Sequence, residues 1–268
     1  MVQALFFLSL GGILAGLLAG LLGVGGGIVL VPLLTLILPQ LGIASDVVMH
    51  IAVATSMAVI TITSLSSARV HWQQRQVIWP VFFHLTTGTV LGTLLGVNIA
   101  HLLPSNELHL IFGVFTLVIA LHILLNKQPK VQREIPNKYL LALGGFIIGT
   151  VCALLGMGGG MLIVPYLNHY KLSMRNIIST STLCTIPIAL AGSMGFILLG
   201  HEHAPLRNVS YTTGYIYWPA FFATAAAGVV FAPIGAKLAH RIPAKVLKRI
   251  FGGFLIIVAT HMLITGIN

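Results

Sequence analysis

Two glycine-rich motifs are the part of this sequence best suited to bind a ligand through backbone groups. Each motif has one glycine, a variable residue and three further glycines: Gly23, Gly25, Gly26 and Gly27, then Gly156, Gly158, Gly159 and Gly160. Three consecutive glycines interrupt a helix and expose the backbone. A helix restarting near Ile28 or Met161 points unpaired N–H groups and its positive dipole end at the interruption. The motifs therefore predict a site for a small anion, and the alternative is close packing of a hairpin alone.

Hydroxyl side chains follow each motif at matching positions. They are Thr55 and Ser56 in one half, and Thr180, Ser181 and Thr182 in the other. A hydroxyl donates a hydrogen bond to an oxyanion without adding charge, so we expect these residues to complete the anion site. The alternative is that each hydroxyl bonds a carbonyl of its own helix, which is common in membranes.

A histidine and two prolines complete the candidate residues. Pro32 and Pro165 each follow the last glycine by five residues, so we expect them at or just beyond the first turn of a short helix, in a structural role. His84 lies in an apolar stretch without a counterpart in the other half, and a membrane histidine is a candidate proton relay. We predict that His84 lines the pathway or couples protons. The sequence suggests no metal ion and no cofactor.

The composition excludes a soluble protein. Of 268 residues, 57% are hydrophobic and only 7% are charged, with four acidic residues, whereas soluble domains have about 25% charged residues. The net charge of +10 comes from lysines and arginines scattered through short connections, which fits loops facing an anionic leaflet rather than nucleic acid. Clustered catalytic side chains are missing from the sequence, so we do not expect an enzyme.

Charge-free stretches divide the chain into membrane segments. These stretches are 1–45, 47–68, 76–106, 108–126, 139–170, 176–201, 208–236 and 250–268. A spanning helix needs about 20 apolar residues. The glycine motifs split the first stretch into 4–22 and 27–38, and the fifth into 139–155 and 160–168. The sequence therefore predicts an all-α polytopic membrane protein in which each half has a glycine-broken helical hairpin followed by three transmembrane helices.

Lysine and arginine residues predict the orientation. Twelve of the 14 gather in four connections: Arg69 and Arg75; Lys127, Lys130, Arg133 and Lys138; Lys171 and Arg175; and Arg241, Lys245, Lys248 and Arg249. Arg207, in a connection predicted to lie outside, is an exception. Placing these connections inside the cell puts both termini outside. The segment 139–170 then leaves on the side where it enters, and the two halves have opposite orientations in the bilayer.

The chain contains an internal duplication. Residues 79–124 align without gaps on 218–263, and both start with Trp-Pro-x-Phe-Phe, at Trp79 and Trp218. The predicted parts are a first transmembrane repeat (1–126, the first half), a cytoplasmic linker (127–138) and a second transmembrane repeat (139–268, the second half). Inverted repeats with a central binding site are typical of secondary transporters.

These residues resemble the sulfite exporter TauE/SafE family, also called the toluene sulfonate uptake permease family. The doubled Gly-x-Gly-Gly-Gly…Pro motifs, the Thr-Ser pairs and the Trp-Pro segments carry the resemblance, which covers essentially the whole chain. The resemblance implies an inner-membrane permease for sulfite, thiosulfate, sulfonates or related anions. Ser179 before Thr180 departs from the family's Gly-Thr-Ser pattern, which leaves the substrate open.

Together these features predict a secondary transporter that moves a small oxyanion, sulfite or another sulfur-containing anion, across the inner (plasma) membrane by alternating access. An anion channel with the same backbone site is the alternative. The expected partners are the anionic substrate and the lipid bilayer, without nucleic acid. The sequence leaves open whether the chain forms a homo-oligomer.

Overall fold

The computed structural model describes residues 2–22, 26–72, 76–125, 133–201, 209–239 and 244–267, and this part of the chain is almost entirely helical. In chain order the α-helices are α1 Val2–Leu22, α2 Gly27–Ile37, α3 Ser45–Trp72, α4 Trp79–Leu102, α5 Ser105–Leu125, α6 Lys138–Leu155, α7 Gly160–Leu167, α8 Met174–Gly200, α9 Trp218–Ala239 and α10 Ala244–Ile267. A 3-10 turn at Pro39–Leu41 and an antiparallel hairpin of β1 Thr212–Thr213 and β2 Ile216–Tyr217 complete the regular structure.

The helices confirm an all-α polytopic membrane protein. Six of those described (α3, α4, α5, α6, α8 and α9) are long and apolar enough to cross a membrane. The predicted breaks are also confirmed, because α2 has 11 residues and α7 has 8. At about 1.5 Å per residue, neither short helix crosses a hydrocarbon core of about 30 Å.

One predicted membrane stretch, 208–236, is only partly helical. Its first described residues form the hairpin, and α9 begins at Trp218. Gly214 has φ +55° and lies against the backbone of Ile197 in α8, so a side chain at this position would collide with that helix. The close approach and the left-handed turn explain why the chain doubles back here before α9 starts.

Helices of the first half pack mainly against helices of the second half. The most extensive helix contacts are α4 with α6, α1 with α9, α5 with α10 and α3 with α8, and every pair joins a helix of the first half to a helix of the second. The halves therefore share one core. The boundary between the two repeats at residues 127–138 is inferred from the sequence alone and stays a prediction.

Glycines bring α4 and α6 together backbone to backbone. A Cβ atom on Gly88, Gly92 or Gly96 would collide with a carbonyl oxygen or Cα atom of α6. The hydroxyl of Thr150 in α6 donates to the carbonyl oxygen of Gly92 at 3.0 Å. Small residues and interhelical hydroxyl bonds are the usual means of helix association in membranes, so the glycine stripe of α4 is a packing device.

Helices α5 and α10 lie antiparallel with a register that matches the duplication. Gly113 packs against Leu263, and Gly252 packs against Leu124. In the alignment of the repeats, Gly113 corresponds to Gly252 and Leu124 corresponds to Leu263. The Gly113–Leu263 contact and the Gly252–Leu124 contact are therefore equivalent under the symmetry that relates the two repeats.

Candidate functional site

The two glycine breaks touch each other in the interior. Gly27, the first residue of α2, lies so close to the second break that a Cβ atom on it would collide with the carbonyl oxygen of Gly156 and the Cα atom of Met157. All three residues are buried. The parts of the chain predicted to form one shared site therefore come together from opposite halves.

The first break leads directly into a buried helix. Gly26 has φ +76°, a left-handed conformation that favours glycine. Its carbonyl oxygen accepts from the N–H groups of Val29 and Leu30, both at 3.1 Å. The N–H groups at the very start of α2 precede these bonds and have no acceptor within the helix. Gly23 and Gly25 lie outside the described residues.

The second break has a closed helix end on one side and a helix start on the other. Gly156 has φ +59°, and the N–H of Met157 donates to the carbonyl oxygen of Cys152 at 3.0 Å, which closes α6 as in a Schellman motif. The carbonyl oxygen of Gly159 accepts from the N–H of Ile163 at 2.8 Å and opens α7. The turn is buried throughout.

The remaining glycines and the two prolines lie in or next to these helix starts. Gly158 and Gly160 are buried in the second break. Pro32 and Pro165 are each the sixth residue of their short helix. A proline has no N–H to donate to the fourth preceding carbonyl, so each proline removes a helical hydrogen bond just after the first turn. The position of both prolines agrees with the prediction, and their structural role stays a prediction.

Ser56 joins the first half to the second break. Its hydroxyl donates to the carbonyl oxygen of Gly156 at 2.9 Å, and both residues are buried. This carbonyl is at the negative end of α6 and lies beside Gly27 at the positive end of α2, an attractive arrangement of two helix dipoles. The hydroxyl proton of Ser56 is therefore already used by the protein.

Thr55 and Thr180 form a matched pair of bonds between the halves. The hydroxyl oxygen of Thr55 accepts from the N–H of Tyr217 at 3.0 Å, and that of Thr180 accepts from the N–H of Ile78 at 3.1 Å. Tyr217 and Ile78 immediately precede α9 and α4 at corresponding positions of the duplication. Each threonine thus caps a helix of the other half. Because the hydroxyl oxygens accept, their protons remain available to donate.

Ser181 and Thr182 bond within their own helix. Their hydroxyls donate to the carbonyl oxygen of Ile178 at 3.0 Å and 2.8 Å. This is the local arrangement that serine and threonine commonly adopt in membrane helices. A role in anion binding stays a prediction for both residues and requires these local bonds to open.

His84 lies in the first turns of α4 and is half-buried. Its Nδ1 is 2.6 Å from the carbonyl oxygen of Pro80, so Nδ1 carries the proton and donates it. Nε2 is then the nitrogen that could exchange a proton. The predicted role of His84 in the pathway stays a prediction.

The hairpin contributes a buried aromatic residue that the sequence analysis missed. Tyr215 is fully buried, stacks on the His50 ring with centroids 5.2 Å apart, and has its hydroxyl 2.9 Å from Nδ1 of His101. Burial raises the pKa of Tyr215 to about 12, so this phenol stays protonated at neutral pH. The hairpin thereby ties the start of α3 to the end of α4.

One signal in the sequence could have revealed this contact. The connection between α8 and α9 is longer than the corresponding connection between α3 and α4, and it ends in Tyr215-Ile216-Tyr217. Extra residues in one repeat only, rich in aromatic side chains, indicate an element that packs on the shared frame.

Known proteins match this chain over nearly its whole length. A family model described as sulfite exporter TauE/SafE matches residues 8–262. A probable membrane transporter protein of Haemophilus influenzae is 33% identical over 254 residues, which are 94% of this chain and 95% of the relative. A probable membrane transporter protein of Methanocaldococcus jannaschii is 26% identical, covering 94% of this chain and 93% of its own.

A third relative is the probable membrane transporter protein YunE of Bacillus subtilis, 28% identical over 71% of this chain and 77% of its own length. No solved structure matches. The match of the family model over almost all residues, together with the helices and the paired glycine breaks, shows that this chain belongs to the sulfite exporter TauE/SafE family of membrane transporters.

Proposed function

We propose that this protein is a secondary transporter that moves a small oxyanion, sulfite or another sulfur-containing anion, by alternating access. The observation that carries the proposal is the contact of the two glycine breaks, in which Gly27 at the start of α2 lies against Gly156 and Met157. Broken backbone at membrane depth is tolerated only inside protein or beside a water-filled cavity. A break in each half, meeting inside the protein, fits a shared binding site.

The anion is bound by N–H groups at the starts of α2 and α7. Each helix start has roughly half a positive charge, so two of them attract an anion without a lysine or arginine in the membrane. The hydroxyl protons of Thr55 and Thr180 are the further donors we propose, because both residues are fully buried and their oxygens already accept. An anion leaving water needs such donors, since an unpaired buried charge is very costly.

The carbonyl oxygen of Gly156 determines where the anion binds. A carbonyl repels an anion, and this one lies against Gly27 and accepts from Ser56. The substrate therefore binds on the N–H side of the breaks, and its entry requires α2 to move away from the end of α6. Ser56 and Gly156 are the contact expected to change between the open and closed forms.

Inverted repeats allow the same movement to open the site to either side of the membrane. The contacts Gly113–Leu263 and Gly252–Leu124 exchange under the duplication, and they join antiparallel helices. A two-fold axis that exchanges antiparallel transmembrane helices lies in the membrane plane, which favours inverted repeats. Rocking of such repeats about a central site opens it alternately to either face.

We propose that the membrane potential drives export. An inside-negative potential contributes about 2.3 kcal/mol per charge per 100 mV to an anion that leaves the cell. Uptake would require a coupled cation, and His84 is then the candidate for proton coupling. We place the protein in the inner (plasma) membrane with both termini outside, which reporter fusions at each end would test.

The test is sulfite flux in proteoliposomes under an imposed potassium-diffusion potential. We expect saturable sulfite efflux that accelerates when the potential drives anions outward, and counterflow of labelled sulfite against an unlabelled gradient. Counterflow is a property of carriers, so its absence beside a large flux would favour the channel. Flux equal to that of empty vesicles for sulfite, thiosulfate and sulfonates would refute both forms of the proposal.

A further inference from the structure

A group of exposed basic side chains surrounds the starts of α6 and α8. We name it the basic shelf and define it as Arg133, Lys138, Lys171 and Arg175, all of which are exposed. Lys138 is the first residue of α6 and Arg175 is the second of α8, and both helices are candidate membrane spans. The shelf therefore lies at the level where these two spans begin.

Backbone hydrogen bonds hold the shelf together. The N–H of Arg133 donates to the carbonyl oxygen of His169, and the N–H of Lys171 donates to that of Arg133, both at 2.9 Å. A short strand-like pairing thus joins the segment before α6 to the loop after α7. Because the pairing fixes the backbone at both positions, the basic side chains occupy a defined surface rather than two independent loops.

The helix starts add to the positive potential of the shelf. The side-chain oxygen of Asn137 accepts from Leu140 N–H at 2.9 Å, and that of Ser173 accepts from Asn176 N–H at 3.2 Å. These caps mark the positive dipole ends of α6 and α8. One carboxylate, Glu134, lies 3.9 Å from the Lys171 ammonium. An exposed pair of this length contributes little, so the four cations keep a positive excess.

The remaining acidic residues of the described ranges are at the other end of the helices. Glu107 is in the first turn of α5 and Asp46 in the first turn of α3. The N–H of Met49 bonds the hydroxyl of Ser105, so these two starts lie together. Helix α4 runs parallel to α6, as the glycine contacts of their interface show, and α5 begins just after α4 ends. Asp46 and Glu107 therefore lie at the opposite end of the helices from the basic shelf.

Apolar and aromatic side chains border the shelf. Tyr139 is 73% exposed, with the Lys138 ammonium 5.2 Å from its ring centroid, and Leu140 and Met174 are also exposed. Tyrosine next to lysine at the end of a membrane span is typical of the boundary between headgroups and acyl chains. A surface on which exposed cations border exposed apolar groups is complementary to a phospholipid with an anionic headgroup.

We infer that the basic shelf is a binding site for an anionic phospholipid, with the phosphate and headgroup held by the four cations and the acyl chains beside Tyr139 and Leu140. In the first half, the turn of the corresponding hairpin, residues 38–46, contains Asp46 and neither lysine nor arginine. The lipid would therefore bind at the foot of the second hairpin only. It holds the C-terminal end of α7, since the pairing of Arg133 includes the loop that directly follows this helix.

Native mass spectrometry of the full-length purified protein tests this site. The probes are phosphatidylglycerol, phosphatidylcholine with the same acyl chains, and inorganic phosphate. Each lysine or arginine near an anionic surface adds to the attraction for a negatively charged headgroup. We therefore expect phosphatidylglycerol to bind at least about tenfold more tightly than phosphatidylcholine. Inorganic phosphate should not displace it, because phosphate has no acyl chains to contact the apolar border.

Charge-removing variants distinguish the effect of the basic shelf on lipid binding from the effect of the total charge. The shelf variant is R133Q/K138Q/K171Q/R175Q, and the matched control R69Q/R75Q/K245Q/K248Q removes the same charge from two other basic groups of the sequence. The preference for phosphatidylglycerol should fall close to onefold in the shelf variant and persist in the control. The double variant K171Q/R175Q, which leaves the Arg133 and Lys138 side chains unchanged, should lie between. Three results would overturn the inference: no lipid preference in the wild type, equal losses in both quadruple variants, or displacement of the lipid by phosphate alone.

Discussion

The hydroxyl of Ser56 donates a hydrogen bond to the carbonyl oxygen of Gly156 across 2.9 Å in the buried interior. This bond links α3 in the first half to the glycine break of the second half. Its acceptor is a carbonyl oxygen at the C-terminal end of α6, where the helix itself supplies no N–H group to bond it. The geometry of one glycine break therefore depends on a side chain from the other half.

Replacing Ser56 with alanine should destabilise the protein and impair transport. The carbonyl oxygen of Gly156 would lose its hydroxyl donor in a buried environment, which costs about 1–3 kcal/mol. Thermal unfolding in detergent measures the loss. The control is Ser64→Ala in the same helix, because the buried Ser64 hydroxyl bonds only the carbonyl of Thr61 one turn away. Equal effects of the two variants would contradict a role for the contact between halves.

Thr55→Val and Thr180→Val should have closely similar effects. Each removes the hydroxyl that caps a helix of the opposite half, a loss of about 0.5–2 kcal/mol. Thr185→Val is the control, because the buried Thr185 hydroxyl donates to the carbonyl oxygen of Ser181 within α8. Unfolding temperatures of the three variants provide the comparison. A Thr55 or Thr180 variant as stable as the Thr185 control would show that the caps contribute nothing beyond a local bond.

Gly149→Ala should separate α4 from α6. A Cβ atom on Gly149 would collide with the backbone carbonyl of Thr89, which cannot move without shifting α4, and such overpacking costs about 1–3 kcal/mol. Gly253→Ala is the matched control, because nothing lies within 4 Å of its added Cβ atom. Alanine favours helix by about 1 kcal/mol over glycine, so the control should be neutral or stabilising. Similar destabilisation in both variants would show that the close approach of the two helices is unimportant.

The stability of the protein should fall at high pH through Tyr215. Burial raises the pKa of this phenol to about 12 in the folded protein, against about 10 in an unfolded chain. The stabilisation is fully present below pH of about 10 and is lost as the pH rises through about 12. The unfolding temperature of the wild type should therefore drop more over this range than that of Tyr215→Phe. Parallel curves for the two proteins would contradict the raised pKa.

The glycine breaks could be predicted because their cause is local. Three glycines abolish helix propensity wherever they occur, so the starts of α2 and α7 at Gly27 and Gly160 fall within one residue of the prediction. The charge-free stretches likewise predict the spans, since lipid requires each backbone group to be satisfied within a helix. Local chemistry determines these elements almost completely.

The partners of the hydroxyls could not be predicted. Any threonine in a membrane helix has a carbonyl of its own helix within reach, and the residues around them do not distinguish Thr182, which bonds locally, from Thr180, which caps α4. The partner of Thr180 is Ile78, more than a hundred residues away. Contacts over such separations leave no periodicity, and only the matching position of Thr55 in the other half hints at a common role.

The most direct measurement of the central claim is the sulfite-dependent shift in the unfolding temperature of the wild type, Gly159→Val and Gly253→Val. Gly159 has φ −58°, and an added Cβ atom meets only the side-chain ends of Ile188 and Ile163, so the variant should fold. A ligand at a hundred times its Kd stabilises by about 2.7 kcal/mol. We predict a saturable rise for the wild type and Gly253→Val that Gly159→Val abolishes by obstructing the N–H groups of α7. An undiminished rise in Gly159→Val would contradict an anion site at the glycine breaks.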